Sequence, residues 1–150
     1  MKRRRIDPGA HEYAVRMAQV LPPEDRRRLQ LSYRMAFERM RAGRADGDHA
    51  ATLGTVANIA LVLAERTGNS EVGLAIVKAA QDALLHAANR KERLGLDHYT
   101  LAGPGISAVA KLLDLHDLQL EQHTARQFRD AIEEAARRVR AGDVLEVVTP

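Results

Sequence analysis

The sequence predicts an all-α, single-domain helical bundle of four to five helices with a hydrophobic helix at its centre. Alanine (25 residues) and leucine (18 residues) lead the apolar set, and arginine supplies 19 of the 23 basic side chains. These residue types favour helices because they lose little rotamer freedom there. Runs of β-branched residues are nearly absent before residue 144. Apolar residues recur at three- and four-residue steps, and glycines stand where these stripes end, as expected for helices joined by short links.

Composition limits the class of protein. A chain of 150 residues with 45% apolar content is long enough for one domain with a buried core, and it is too apolar for disorder. The sequence contains no cysteine, which excludes disulfides, thiolate metal sites and cysteine nucleophiles. No apolar stretch follows the basic start, and the most apolar segment, 50–64, is too short and too interrupted for a membrane span. We therefore expect a cytoplasmic protein with no membrane partner and no cofactor.

The first two helices of the bundle are expected at 23–42 and 48–67. Pro23 suits a first turn, because an amide in that position has no partner within the helix. The apolar stripe of the first helix consists of Leu29, Tyr33, Ala36, Phe37 and Met40. The second helix, capped by Asp46 or Asp48, has apolar residues around most of its circumference. A helix of this kind is predicted to lie at the centre of the bundle.

The third helix is expected at 70–94, with Ser70 as its N-cap and Gly95 as its end. Its core face is predicted to consist of Val72, Ile76, Ala80, Leu84 and Ala87. The longest irregular link follows at 95–105, and the next helix is expected to begin at Ile106. The alanines on the core face of the third helix predict that it approaches its neighbours closely.

The segment from 106 to 141 allows two interpretations. Its apolar stripe stays nearly in phase throughout, which is typical of one long helix. Thr124 and Gln127, however, fit a capping box, in which the two side chains satisfy the opening amides of a new helix. We favour a break near His123 and a last helix from Thr124 to Ala141. The buried stripe of this last helix is predicted to consist of Phe128, Ile132, Ala135 and Val139.

The net charge of +3 hides an uneven distribution. Residues 1–44 carry 12 basic and 5 acidic side chains, whereas residues 45–150 carry 11 basic and 15 acidic ones. The predicted organisation is a basic N-terminal arm at 1–21 with a short helix near 11–18, a helical bundle domain at 22–142, and a C-terminal tail at 143–150. A basic front of this kind attracts polyanions or acidic partners.

An arginine row is predicted on the first helix of the bundle. Arg27, Arg34 and Arg41 recur every seven residues and point away from the apolar stripe. Arg44 follows them, and together the four form a candidate interaction surface. Guanidinium groups about 10 Å apart suit phosphates or an acidic protein surface. No aromatic side chains interleave for base stacking, and an ordinary solvated helix face is the alternative.

A second constellation consists of histidines and carboxylates. Asp82 and His86 form an i,i+4 pair on the third helix, while His116 and Asp117 lie in an acidic segment after the long link. If these helices pack together, we expect a polar network that fixes their register. A small enzyme that uses His86 and His116 is the alternative. The spacing lacks the His-Glu-x-x-His pattern of zinc sites, so no metal site and no catalytic residue is assigned.

A resemblance to known proteins is found in three parts of the sequence. They are the stretch from His49 through the second helix, the segment 81–84 (Gln-Asp-Ala-Leu) and the segment 115–120 (Leu-His-Asp-Leu-Gln-Leu). This pattern resembles small helical accessory proteins encoded on phages, plasmids and integrated elements of high-GC proteobacteria, over residues 22–145. The resemblance implies a mobile-element accessory role and offers no active site to carry over.

The absence of catalytic motifs, together with a strongly specified fold, favours a non-enzymatic binding or regulatory protein that docks on a host or phage protein. Nucleic-acid binding through the arginine row is the alternative. The second and third helices also offer more apolar surface than their neighbours can cover. For that reason we expect a homodimer.

Overall fold

Six α-helices form the part of the chain that a computed structural model describes, residues 8–68 and 70–143. They are α1 (Pro8–Met17), α2 (Pro23–Arg41), α3 (Gly47–Glu65), α4 (Ser70–Leu94), α5 (Gly103–Gln122) and α6 (Ala125–Ala141). The described residues contain no strand, only two isolated bridges. The all-α class is therefore confirmed. The count of four to five helices is corrected to six, because α1 adds a helix before the five that follow residue 22.

Some sequence predictions concern residues outside the described part of the chain. This group consists of residues 1–7 of the basic arm, residues 144–150 of the tail and the side chain of Ser70, the expected cap of α4. The rest of the predicted arm includes α1, which packs against α6.

The central position of α3 is confirmed, since it contacts α2, α4, α5 and α6. Its start is defined by Asp46, whose carboxylate accepts a bond from the His49 amide at 3.0 Å. In return the Asp46 amide donates to His49 Nδ1 at 3.1 Å, which completes a capping box. From Ala50 onward most of the helix is buried, so apolar contacts on all sides hold it in place.

The link between α4 and α5 is shorter than predicted, because α5 begins at Gly103 and not at Ile106. Pro104 occupies its first turn, where the missing amide removes no helical hydrogen bond. The remaining link is fastened to the end of α2 and the residues after it. The Leu101 amide donates to the Met40 carbonyl at 3.2 Å. Leu101 is also buried, so the link forms part of the core.

The predicted break between α5 and α6 is confirmed, and the single long helix is wrong. His123 and Thr124 are extended, and Thr124 caps α6. The Gln127 amide donates to Thr124 Oγ1 at 3.2 Å, while the Thr124 amide donates to Gln127 Oε1 at 2.9 Å. The corner also holds the chain before α2, because the Ala125 amide donates to the Gln19 carbonyl at 2.8 Å.

Three side chains predicted to be buried are exposed instead. Val72 is 67% exposed because the buried face of α4 runs through Gly73 and Val77, one residue further on. Leu29 of α2 and Ile132 of α6 are 40% and 44% exposed. Both α2 and α6 pack on α3, and a cavity between them leaves these two side chains uncovered.

Candidate functional site

Arg34 turns toward α5 and does not stand free in the predicted arginine row. Its Nη2 atom donates to Asp117 Oδ2 at 2.6 Å and to Asp114 Oδ1 at 3.0 Å. The hydroxyl of Tyr33 donates to Asp117 from the buried face of α2. Burial and the neighbouring Asp117 carboxylate raise the pKa of Tyr33, so the hydroxyl keeps its proton and remains a donor. These contacts fasten α2 to α5.

The other two arginines of the row, Arg27 and Arg41, and the neighbouring Arg44 are exposed. Arg41 forms an ion pair with Glu38, with Nη2 and Oε2 3.1 Å apart. Pairs as exposed as this one contribute little and leave the guanidinium accessible to a partner. The predicted row is therefore interrupted at Arg34, and its continuous phosphate-matching spacing is lost.

A different line of residues faces solvent on α2, and we call it the outer ridge. It consists of Arg27, Leu31, Met35 and Arg39. These residues follow one another at four-residue steps, which aligns them along one helix surface. The two central side chains are 73% (Leu31) and 54% (Met35) exposed, and the two outer ones are arginines. The outer ridge thus has an apolar centre and basic ends.

A cavity of about 520 Å³ opens between α2, α3, α5 and α6. Its apolar lining comes from Leu29, Val56, Ile59, Phe128 and Ile132. Its polar lining residues are Ser32, Tyr33, Asp48, Thr52, Thr55 and His116. A volume of this size is in the range of small-molecule sites, which are mostly apolar with a few placed polar groups.

The protonation of His116 at this cavity follows from its hydrogen bonds. Gln119 Nε2 donates to the Ala60 carbonyl at 3.1 Å, so its amide oxygen must face the other way. That oxygen lies 3.0 Å from His116 Nδ1. An amide oxygen only accepts, so Nδ1 carries the proton and Nε2 of the neutral ring is an acceptor. Tyr33 and Phe128 pack against the ring, with centroids at 5.5 and 5.6 Å.

Among residues 8–68 and 70–143, no group of histidine, aspartate or glutamate side chains is arranged to hold a metal ion. None of the helices in this part of the chain is long and apolar enough to cross a membrane. Comparison of the chain with models of protein families, with curated proteins and with solved structures found no match. The outer ridge and the cavity are thus the two features from which function can be inferred.

The structure does not bring together the four residues of the predicted polar network. Asp82 and His86 are exposed and line a different cavity, beside Pro104 at the start of α5. His116 and Asp117 lie about three turns further along α5, roughly 18 Å from that start. The two histidines therefore do not converge on one site.

Two polar contacts between helices involve amide side chains that sequence reasoning missed. Gln119 hydrogen-bonds both to His116 and to the Ala60 carbonyl of α3. Gln81 of α4 donates from Nε2 to Asn58 Oδ1 at 3.1 Å, across the contact between α4 and α3. The available signals were the i,i+3 spacing of His116 and Gln119 and the presence of Asn58 in an otherwise apolar helix.

Lowering the pH from 7 to 5 is expected to reduce the free energy of unfolding through His116. Burial lowers the pKa of this histidine below its ordinary 6.5, so the unfolded chain takes up a proton first as the pH falls. The stabilisation is complete above pH 6.5 and is lost progressively as the pH falls through the lower pKa of the folded form. Urea denaturation across this range should show a steeper decline for the native protein than for His116→Phe. Equal declines would contradict the assignment.

Proposed function

We propose that the protein is a non-enzymatic binding protein that docks on an acidic surface of a protein partner through the outer ridge of α2. The observation that carries this proposal is the exposure of Leu31 and Met35 between two arginines. Methionine and arginine are enriched in protein interfaces, where an apolar centre is surrounded by a polar rim. A row at four-residue steps also fits the groove of a partner helix.

Charge favours an acidic partner. Helix α2 carries six arginines and three acidic residues, so the ridge lies in a positive field. A second copy that met this face across a twofold axis would place arginines against arginines. The predicted homodimer therefore needs another surface, and light scattering at micromolar concentration tests it. The resemblance to mobile-element proteins makes a host or phage protein the proposed partner and regulation the proposed role.

Nucleic acid is the second candidate partner, because Arg27, Arg41 and Arg44 are exposed. Arg34, however, is already bound by two aspartates of α5. Phosphates and sugars, which receive most protein contacts on a duplex, also offer no apolar counterpart for the centre of the ridge. An acidic protein surface offers carboxylates to the arginines and apolar side chains to the centre of the ridge.

The double substitution Leu31→Asp with Met35→Asp is expected to abolish partner binding. It places two carboxylates at the apolar centre, opposite an acidic surface, and both side chains are exposed, so folding is retained. The partner is captured from a nuclease-treated lysate of the encoding organism, purified, and titrated by calorimetry. We expect at least a 30-fold loss of affinity, as for other interface centres.

The matched control is Val72→Asp, because the exposure of Val72 on α4 lies between those of Leu31 and Met35 and the residue is away from the outer ridge. This variant should bind the partner as the native protein does. Equal binding by the ridge variant and the control would overturn the docking surface. Capture that disappears on nuclease treatment would assign nucleic acid as the partner.

A further inference from the structure

We infer that the cavity between α2, α3, α5 and α6 binds a small, neutral aromatic molecule that carries one hydrogen-bond donor, and that His116 Nε2 accepts this bond. This site is separate from the outer ridge, which faces solvent on α2.

The first observation is the acceptor itself. His116 is only 3% exposed, and its ring lines the cavity. Nδ1 is occupied by Gln119, and no described side chain donates to Nε2 on the opposite side of the ring. Among the described side chains, Arg26 Nε is the one nitrogen or oxygen that is buried without a partner, so His116 Nε2 is not sealed off and is open to a ligand N–H or O–H in the cavity. The structure therefore holds a preformed polar anchor inside an apolar space.

The second observation concerns the shape and charge of the ligand. The rings of Tyr33 and Phe128 flank His116, and Val56 and Ile59 of α3 form apolar walls beside them. Flat aromatic molecules pack well against such rings. The lining includes the carboxylate of Asp48 and no lysine or arginine, so an anionic ligand would meet repulsion without a counter-charge. A neutral heteroaromatic N–H or a phenol fits these requirements.

The third observation is the rim. Leu29 and Ile132 belong to the apolar stripes of α2 and α6, yet they remain substantially exposed at this cavity. Both side chains expose apolar surface to water, and a ligand in the cavity would cover this surface. Binding would complete the packing between α2 and α6 that the chain leaves open.

Indole and 1-methylindole test the inference, because they differ in the single donor. Titrations at pH 7.5, followed by two-dimensional amide NMR, should show indole binding about 3- to 10-fold tighter than 1-methylindole. The chemical-shift changes should centre on residues around the cavity. His116→Phe keeps an aromatic ring but removes the acceptor, so it should make the two affinities equal.

A second variant keeps the test independent of any folding defect in His116→Phe. Thr55 lines the cavity and is exposed, so Thr55→Leu should narrow the cavity and weaken the binding of both probes without disturbing the core. Ala75→Leu, an exposed change on α4, is its control and should leave binding unchanged.

Three results would overturn the inference: equal affinities of the native protein for the two probes, no binding at millimolar concentration, or binding that Thr55→Leu leaves unchanged. The ridge variant Leu31→Asp with Met35→Asp should bind indole normally. Failure of the docking proposal and failure of this inference are thereby distinguishable.

Discussion

Truncation of Leu63 to alanine is expected to lower the free energy of unfolding by about 3–5 kcal/mol. Leu63 is fully buried on α3, which α2, α4, α5 and α6 contact. Since protein interiors are close-packed, none of these helices can move into the vacated space without losing contacts elsewhere. The cavity therefore persists, and its cost adds to the lost transfer free energy. A loss of this size is a large fraction of the stability of an ordinary domain.

The control for this prediction lies on the same helix. Leu61 is only partly buried, at the surface between α3 and α4. Leu61→Ala should cost about 1 kcal/mol, because part of its apolar area is already in water. Urea denaturation followed by circular dichroism measures both variants. Equal losses for the two leucines would contradict the central position of α3.

Replacement of Gly73 by leucine is expected to destabilise the protein by about 3 kcal/mol. A Cβ atom at Gly73 would lie 3.3 Å from Ala64 Cβ, which is attached directly to the backbone of α3 and cannot rotate away. It would also lie 4.0 Å from Leu115 Cδ2 of α5. The further atoms of leucine have no room there, so α4 must move away from α3. Thermal unfolding monitored by circular dichroism provides the measurement.

Two comparisons make this prediction specific to the helix contact. Gly73→Ala should be nearly neutral, because the gain of about 1 kcal/mol in helix propensity offsets one tight contact. Ala75→Leu, two residues away on the exposed side of α4, should change stability by less than about 0.5 kcal/mol. A Gly73→Leu variant as stable as these two would show that α3 and α4 are not in close contact.

The features predicted correctly from the sequence depend on interactions within a few residues. Examples are the Thr124–Gln127 capping box, the end of α2 before Gly43 and the cap of α3 at Asp46, one of the two caps expected there. In each case the partners lie within one turn of each other, and Gly43 adopts a left-handed φ of 69°. Such local signals locate helix ends without knowledge of the tertiary structure, which is why the α5–α6 break was predictable.

The features predicted incorrectly depend on how helices are placed against each other. The apolar stripes of α2 and α6 indicate which face turns inward, but not where a neighbour stops covering Leu29 or Ile132. The position of Arg34 depends on α5, whose aspartates are some 80 residues away along the chain. The separation of His86 from His116 depends on the register of α4 against α5. None of these relations is encoded in a local pattern.

The hydrogen bonds between the chain before α2 and the corner between α5 and α6 determine the order in which parts of the protein can pack during translation. α2 packs on α3, α3 on α4 and α4 on α5, so each of these helices finds a partner soon after it leaves the ribosome. Gln19 and Val20, in contrast, pair with Ala125 and Thr124 from near the opposite end of the described chain. Gln19 and Val20 therefore cannot form these contacts until translation has passed Ala125. Their docking therefore follows the packing of α2 to α5, and a ribosome stalled before Thr124 would hold a nascent chain that cannot complete it.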